Sequence, residues 1–116
     1  MVLCLILPWP PSENHYRKLF RGRLVIAKAG REYKAAVKKI VEGKGLTEPL
    51  GGLVSLTIIT HPKTAMRYDL DNLLKALFDS MKNCVYVDDS QVSDLRIRRG
   101  TICRTGGFVL VEAREV

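Results

Sequence analysis

Asp69-Leu70-Asp71-Asn72-Leu73-Leu74-Lys75-Ala76-Leu77-Phe78-Asp79-Ser80-Met81-Lys82 is the stretch on which the fold turns. Leu70, Leu74, Leu77, Phe78 and Met81 recur at i, i+4, i+7, i+8 and i+11, one continuous apolar face of a helix. Asn72, Lys75, Asp79 and Lys82 fall on the opposite side. The spacing predicts a helix from Leu70 to Lys82, ended at Asn83. Val85-Tyr86-Val87 then forms a short extended piece before Asp88-Asp89.

Working outward, Val92 to Arg99 alternates apolar and charged residues, as a half-exposed strand with an arginine-bearing face does. Gly106-Gly107 turns the chain into a last strand, Phe108 to Ala113, expected to return antiparallel to its predecessor. Upstream, Leu53 to Thr60 is dense in β-branched residues and reads as a central strand. His61 to Tyr68 leads out of it as a loop. Tyr33, Val37, Ile40 and Val41 mark a helix that starts near Lys28 and stops at Gly43-Lys44-Gly45, with Lys34, Lys38 and Lys39 on its other side. Arg23 to Lys28 reads as a short strand after a turn at Gly22. Val2 to Leu7 is an apolar run expected to be buried on both faces or nearly so. Pro8-Trp9-Pro10-Pro11 imposes a stiff, extended connector. That loop either packs Trp9 on the core or turns Asn14, His15, Tyr16, Arg17 and Lys18 towards a phosphate backbone.

The balance of 19 Lys and Arg against 12 Asp and Glu gives a formal charge of +7, which favours polyanionic partners. Cys4, Cys84 and Cys103 lack metal-ligand spacing and read as buried thiols in a reducing compartment. No signal peptide or membrane span is legible, so a cytoplasmic location is expected.

Two readings compete for the acids. Asp69 or Asp71 alone is what a helix N-cap looks like. Both together repel each other, and a cation between them relieves that repulsion. Asp71 and Lys75 form an i, i+4 pair, weak as helix support but apt for meeting a phosphate. With a distant acidic pair, Asp88-Asp89, the pattern suits a divalent cation that takes hard oxygen ligands.

Asp69 to Asp79, then Val87-Asp88-Asp89-Ser90-Gln91-Val92, together with the opening Leu7-Pro8-Trp9-Pro10-Pro11-Ser12-Glu13-Asn14, resemble the RusA family of Holliday junction resolvases. The likeness covers essentially the whole chain. It implies an α/β fold over residues 1–116, a single small domain with a mixed β-sheet and two helices packed on it. It also implies a homodimer that cuts four-way DNA junctions by paired symmetric nicks. Mg2+ is the implied cofactor, with Mn2+ as the alternative. Asp69, Asp71 and Asp89 match the family's metal ligands, and Lys75 its catalytic lysine. Asp88 is taken as a neighbour that shapes the site. DNA contacts are expected from Asn14, Tyr16, Arg17, Lys18, Arg21, Arg23, Arg67, Arg96 and Arg98, with Arg99 adding backbone attraction. One departure stands out: His61 to Tyr68 carries fewer charges than the arginine run that precedes this motif in the family. The alternatives are a nuclease for other branched DNA in phage replication, or a basic DNA-binding dimer without catalysis.

Overall fold

The computed structural model describes residues 2–116. Its main sheet has four strands in the order β1-β6-β4-β5: β1 (Val2–Pro8), β6 (Phe108–Glu115), β4 (Val54–His61) and β5 (Val92–Arg99). β6 runs antiparallel to both β1 and β4, whereas β4 and β5 are parallel. A parallel neighbour requires a crossover, and α3 (Leu70–Met81) supplies it. The sheet is therefore mixed, as expected. The last strand does run opposite to β5, but β4 lies between them, so the two never pair.

β4 alternates fully buried and half-buried residues between two partners, the central position its composition predicts. β1 differs from expectation. It is an edge strand buried on one face only: Leu3, Leu5 and Leu7 point inward, while Cys4 and Ile6 point to solvent. An apolar run fits an edge strand when the outward residues are small or lie on an open sheet face. The cysteines follow suit: Cys84 is buried, Cys103 half-buried and Cys4 exposed, so only one is a buried thiol.

Both long helices cover the inward face of the sheet. α2 (Lys28–Gly43) buries Tyr33, Val37 and Val41 against it, and the Tyr33 hydroxyl donates to the Pro8 carbonyl at 2.7 Å. α3 buries Leu73, Ala76, Leu77, Ser80 and Met81, a stripe rotated from the predicted face. Each large apolar side chain fully covered there contributes roughly 1.5–3 kcal/mol. Leu70, Leu74 and Phe78 stay half-buried on its flank.

The proline-rich connector ends in one helical turn, α1 (Glu13–Tyr16), and then in a strand pair that sequence reading saw only in part. β2 (Arg17–Phe20) pairs antiparallel with β3 (Arg23–Ile26) across Arg21-Gly22. Both turn residues have positive φ, 52° and 74°, the left-handed pair that suits a tight two-residue hairpin. Where the hairpin leaves the body, Gly30 of α2 lies so close to the chain that an added Cβ would stand 2.4 Å from the Tyr16 carbonyl oxygen. Glycine is the residue that permits that approach. No helix of the described residues is long and apolar enough to cross a membrane.

Candidate active site

Asp69 occupies the N-cap position of α3, yet its side chain makes no capping bond; its carboxylate meets only the Asn72 side-chain amide, at 3.3 Å. Asp71, in the first helical turn, is exposed. Among the described residues its carboxylate has no hydrogen bond or ion pair, and Lys75, one turn on, forms no pair with it. The cap and the i, i+4 pair allowed by the sequence are thus both unmade. These groups are left free for something else.

Asp88 and Asp89 differ sharply despite being adjacent. Asp88 caps a 3₁₀ turn (Asp89–Gln91): its carboxylate accepts from the Ser90 backbone N–H at 3.0 Å and faces the Lys82 ammonium at 3.2 Å. Hydrogen bonds from Ser90, and then the Lys82 ammonium, hold its carboxyl down at about 2. Gln91 completes the corner. Its Oε1 accepts from the backbone N–H groups of Val87 and Asp88, and its Nε2 donates to the carbonyls of Leu50 and Gly52, both at 2.8 Å. The acid-acid-x-glutamine pattern is therefore a capping box, with only Asp89 left exposed and uncommitted.

Beside Asp69 lies a cleft of about 640 Å³ between the Trp9–His15 segment and the Lys63–Leu73 segment. Trp9 meets Tyr68 edge-to-face, ring centroids 5.0 Å apart. The Tyr68 hydroxyl shares a 2.8 Å hydrogen bond with Thr60 Oγ1, and the Arg99 guanidinium sits 4.5 Å over its ring. Asn14, His15, Arg67 and Asn72 add polar groups to the walls. Trp9 packs on the core, one of the two readings the sequence left open; Tyr68 was read only as part of a loop, because aromatic pairs across a chain separation of this size carry no local signal.

The expected DNA contacts divide. Asn14 and Arg67 line the cleft, and Lys18, Arg21 and Arg23 are exposed on the hairpin. Arg96 and Arg98 pair in register with Thr57 and Ile59, on the sheet face away from the helices, and so do not converge with Asp69. Arg99, the next residue, turns to the other face and lies over the Tyr68 ring.

Tyr16 and Arg17, also expected at DNA, are engaged within the fold. Tyr16 is fully buried, and its hydroxyl donates to Asp79 Oδ2 at 2.5 Å. Burial first, then that hydrogen bond, push the hydroxyl well above its ordinary pKa. Arg17 is drawn inward by Glu13 and Asp79, and Lys34 stands 3.9 Å from the same carboxylate. Tyr16 is thus closed to solvent, and Arg17 is held in ion pairs. Asp79, read from the sequence as part of the polar side of α3, is the hub of this network.

Among the described residues, no three His, Cys, Asp or Glu side chains stand together so as to hold a metal ion. The donor chemistry suits a hard divalent cation, since Asp71 and Asp89 keep their oxygen lone pairs uncommitted and Asp69 engages one oxygen only, with the Asn72 amide. Their placement in one chain does not: Asp69 and Asp71 lie at the start of α3, and Asp89 lies beyond its end.

Asp69 in an aromatic-walled cleft that also holds Lys63 and Arg67 is an arrangement that suits a nuclease. Comparison with known proteins narrows this. The family model described as "Endodeoxyribonuclease RusA" matches residues 8–108. A relative from Enterobacteria phage 82, named crossover junction endodeoxyribonuclease rusA, is 39% identical over 107 residues, which is 91% of this chain and 89% of the relative. Relatives of the same name from Shigella sonnei and Escherichia coli K12 are 38% and 37% identical over the same shares. The chain belongs to the RusA family of endodeoxyribonucleases.

Proposed function

We propose that this chain, acting as one endonuclease domain over residues 1–116, resolves four-way DNA junctions in the cytoplasm during recombination and repair. The active form is a homodimer that introduces paired symmetric nicks, and Mg2+ is the cation its donor chemistry suits, with Mn2+ as the alternative. The observation that carries the reading is selective: Asp88 is committed to the fold, while Asp71 and Asp89 are free and Asp69 meets only the Asn72 amide. A pure DNA binder gains nothing from free negative charge beside its cleft.

The chain's own residues divide the work. The exposed Lys75 ammonium, one turn along α3 from Asp71, is placed to meet a phosphate oxygen and to stabilise charge developing on it. The cleft takes the strand beside the scissile phosphate, with Trp9 and Tyr68 offering aromatic faces and edges and Asn14 and Arg67 polar contacts. The hairpin holds a neighbouring arm through Lys18, Arg21 and Arg23. The sparse charge of His61 to Tyr68 makes these hairpin cations more important. Removing Arg21 and Arg23 together is expected to lower the slope of log affinity against log salt by about 2, one unit per phosphate contact. A titration in which the slope is unchanged would take the hairpin out of the interface.

The test of the function is cleavage of a mobile synthetic four-way junction beside matched linear duplex, with and without Mg2+. Paired, metal-dependent nicks in the junction alone are the expected result. Equal cutting of flaps and forks would widen the substrate to branched DNA in general. Tight junction binding without cutting under any divalent metal would leave a non-catalytic binder.

A further inference from the structure

We infer that the β2–β3 hairpin is a wedge: its outward leucine pair, Leu19 and Leu24, enters the branch point of the DNA and lies against the base pairs that end there. The inference rests on the branched-DNA reading above and adds the part that recognises the branch. Leu19 and Leu24 stand directly opposite each other in the antiparallel pairing, so both side chains lie on one face. They are 76% and 66% exposed. Ile26 shares that face at the base of the hairpin and packs against the core. The leucines continue the core stripe past the body and into solvent. A lone exposed leucine is ordinary, but two in direct register on a projecting arm form a patch that calls for an occupant.

The charges around the pair identify that occupant. From Lys18 to Arg31 the chain carries five cations and no acid. Lys18, Arg21 and Arg23 are exposed, and none has an acidic partner among the described residues. A second copy seated on the leucines through a two-fold contact would set these cations against their own copies. A polyanion with apolar faces meets both parts of the surface at once. DNA offers phosphates to the cations, and base faces to an apolar side chain of the kind that wedges between base steps. Phe20 is not the free element, since it lies on the other face, opposite Arg23, with the Arg21 guanidinium 5.2 Å over its ring.

A wedge of this kind selects structure rather than sequence. In a linear duplex it must first unstack a step, whereas at a branch the arms part and leave end base pairs uncovered. Leu19 and Leu24 therefore favour the branch over duplex without reading base edges. The placement also suits the cleft. β2 follows directly from α1, and Glu13, Asn14 and His15 of α1 line the cleft beside Asp69. The four residues of β2 reach roughly 13 Å, about the length of four nucleotides of duplex. A hairpin seated at the branch thus holds the cleft within a few nucleotides of it.

The test is 2-aminopurine fluorescence in a four-way junction, read without divalent cation so that no strand is cut. The probe sits in the base pair at the branch and, in a control junction, in the middle of one arm. Wild-type protein is expected to raise the branch signal about threefold, by replacing a stacked base with leucine, and to leave the arm signal unchanged. Leu19→Thr with Leu24→Thr keeps strand-forming residues and every cation. That variant should leave the branch signal at the level of free DNA. Its preference for junction over duplex should fall about tenfold, with an unchanged salt slope. No rise at the branch with bound wild type, or the same rise with the variant, overturns the inference. A smaller sedimentation coefficient for the variant than for the wild type also overturns it, because the leucines then cover a second copy. Cleavage is scored separately with Mg2+: a wild type that opens the branch and never cuts removes the nuclease reading and leaves the wedge standing.

Discussion

Replacing Asp71 with asparagine is expected to lower DNA cleavage on the order of a thousandfold or more, equivalent to about 4 kcal/mol of barrier, while junction binding and the fold persist. The fold argument is local. Asp71 is exposed and its carboxylate has no partner among the described residues, so the change removes only a favourable charge in the first turn of α3, worth ~0.3–1 kcal/mol. Asparagine keeps the side chain's shape but not the anionic oxygen that a hard cation selects. Binding rests on cations elsewhere and loses nothing when a negative charge beside the DNA disappears. Asp88→Asn is the contrast: it weakens a capping box and an ion pair, and any loss of activity should follow from loosening of the Asp89 corner. Single-turnover cleavage and gel-shift affinity, measured on the same junction, check both variants. Wild-type cutting by Asp71→Asn would sink the assignment of the acids.

How much of this was legible beforehand depends on the residue. The helical period of α3 was plain, but the centre of its buried face was not. Ala76 and Ser80 sit on that buried face, and small residues carry little weight in a hydrophobic pattern. The even run of β1 hid its position because continuous apolar sequence fits an edge strand on an open face as well as a covered one. The pairing of β6 with β1 and β4 joins residues about a hundred and about fifty positions apart, and no local propensity encodes such choices. The acid motif was readable as chemistry and as family resemblance. The sequence reading put Asp69, Asp71 and Asp89 at one cation; where Asp89 lies relative to the start of α3 depends on the path of the chain after the helix, which no local pattern encodes.

The second large effect is expected at Asp79. Asp79→Ala should lower stability by roughly 2–4 kcal/mol, a large share of what a domain of this size has to spare. The Tyr16 hydroxyl is fully buried, and Asp79 is its hydrogen-bond acceptor. Leaving such a donor unsatisfied costs about 1–3 kcal/mol, and the Arg17 and Lys34 cations lose their shared counter-ion as well. Tyr16→Phe should cost less, about 1 kcal/mol, because it removes the donor but leaves Asp79 facing both cations. Urea unfolding of the two single variants and the double variant gives the coupling. A value within a few tenths of zero would mean the hydrogen bond does not hold these elements together. The consequence reaches the DNA. Tyr16 is the residue through which α1 and the β2–β3 hairpin are anchored to α3, so Asp79→Ala should weaken junction affinity while leaving Mn2+ binding unchanged. The fold thus spends one aspartate to fix the arm that grips DNA, spends Asp88 to fix the corner that presents Asp89, and keeps the other acids free.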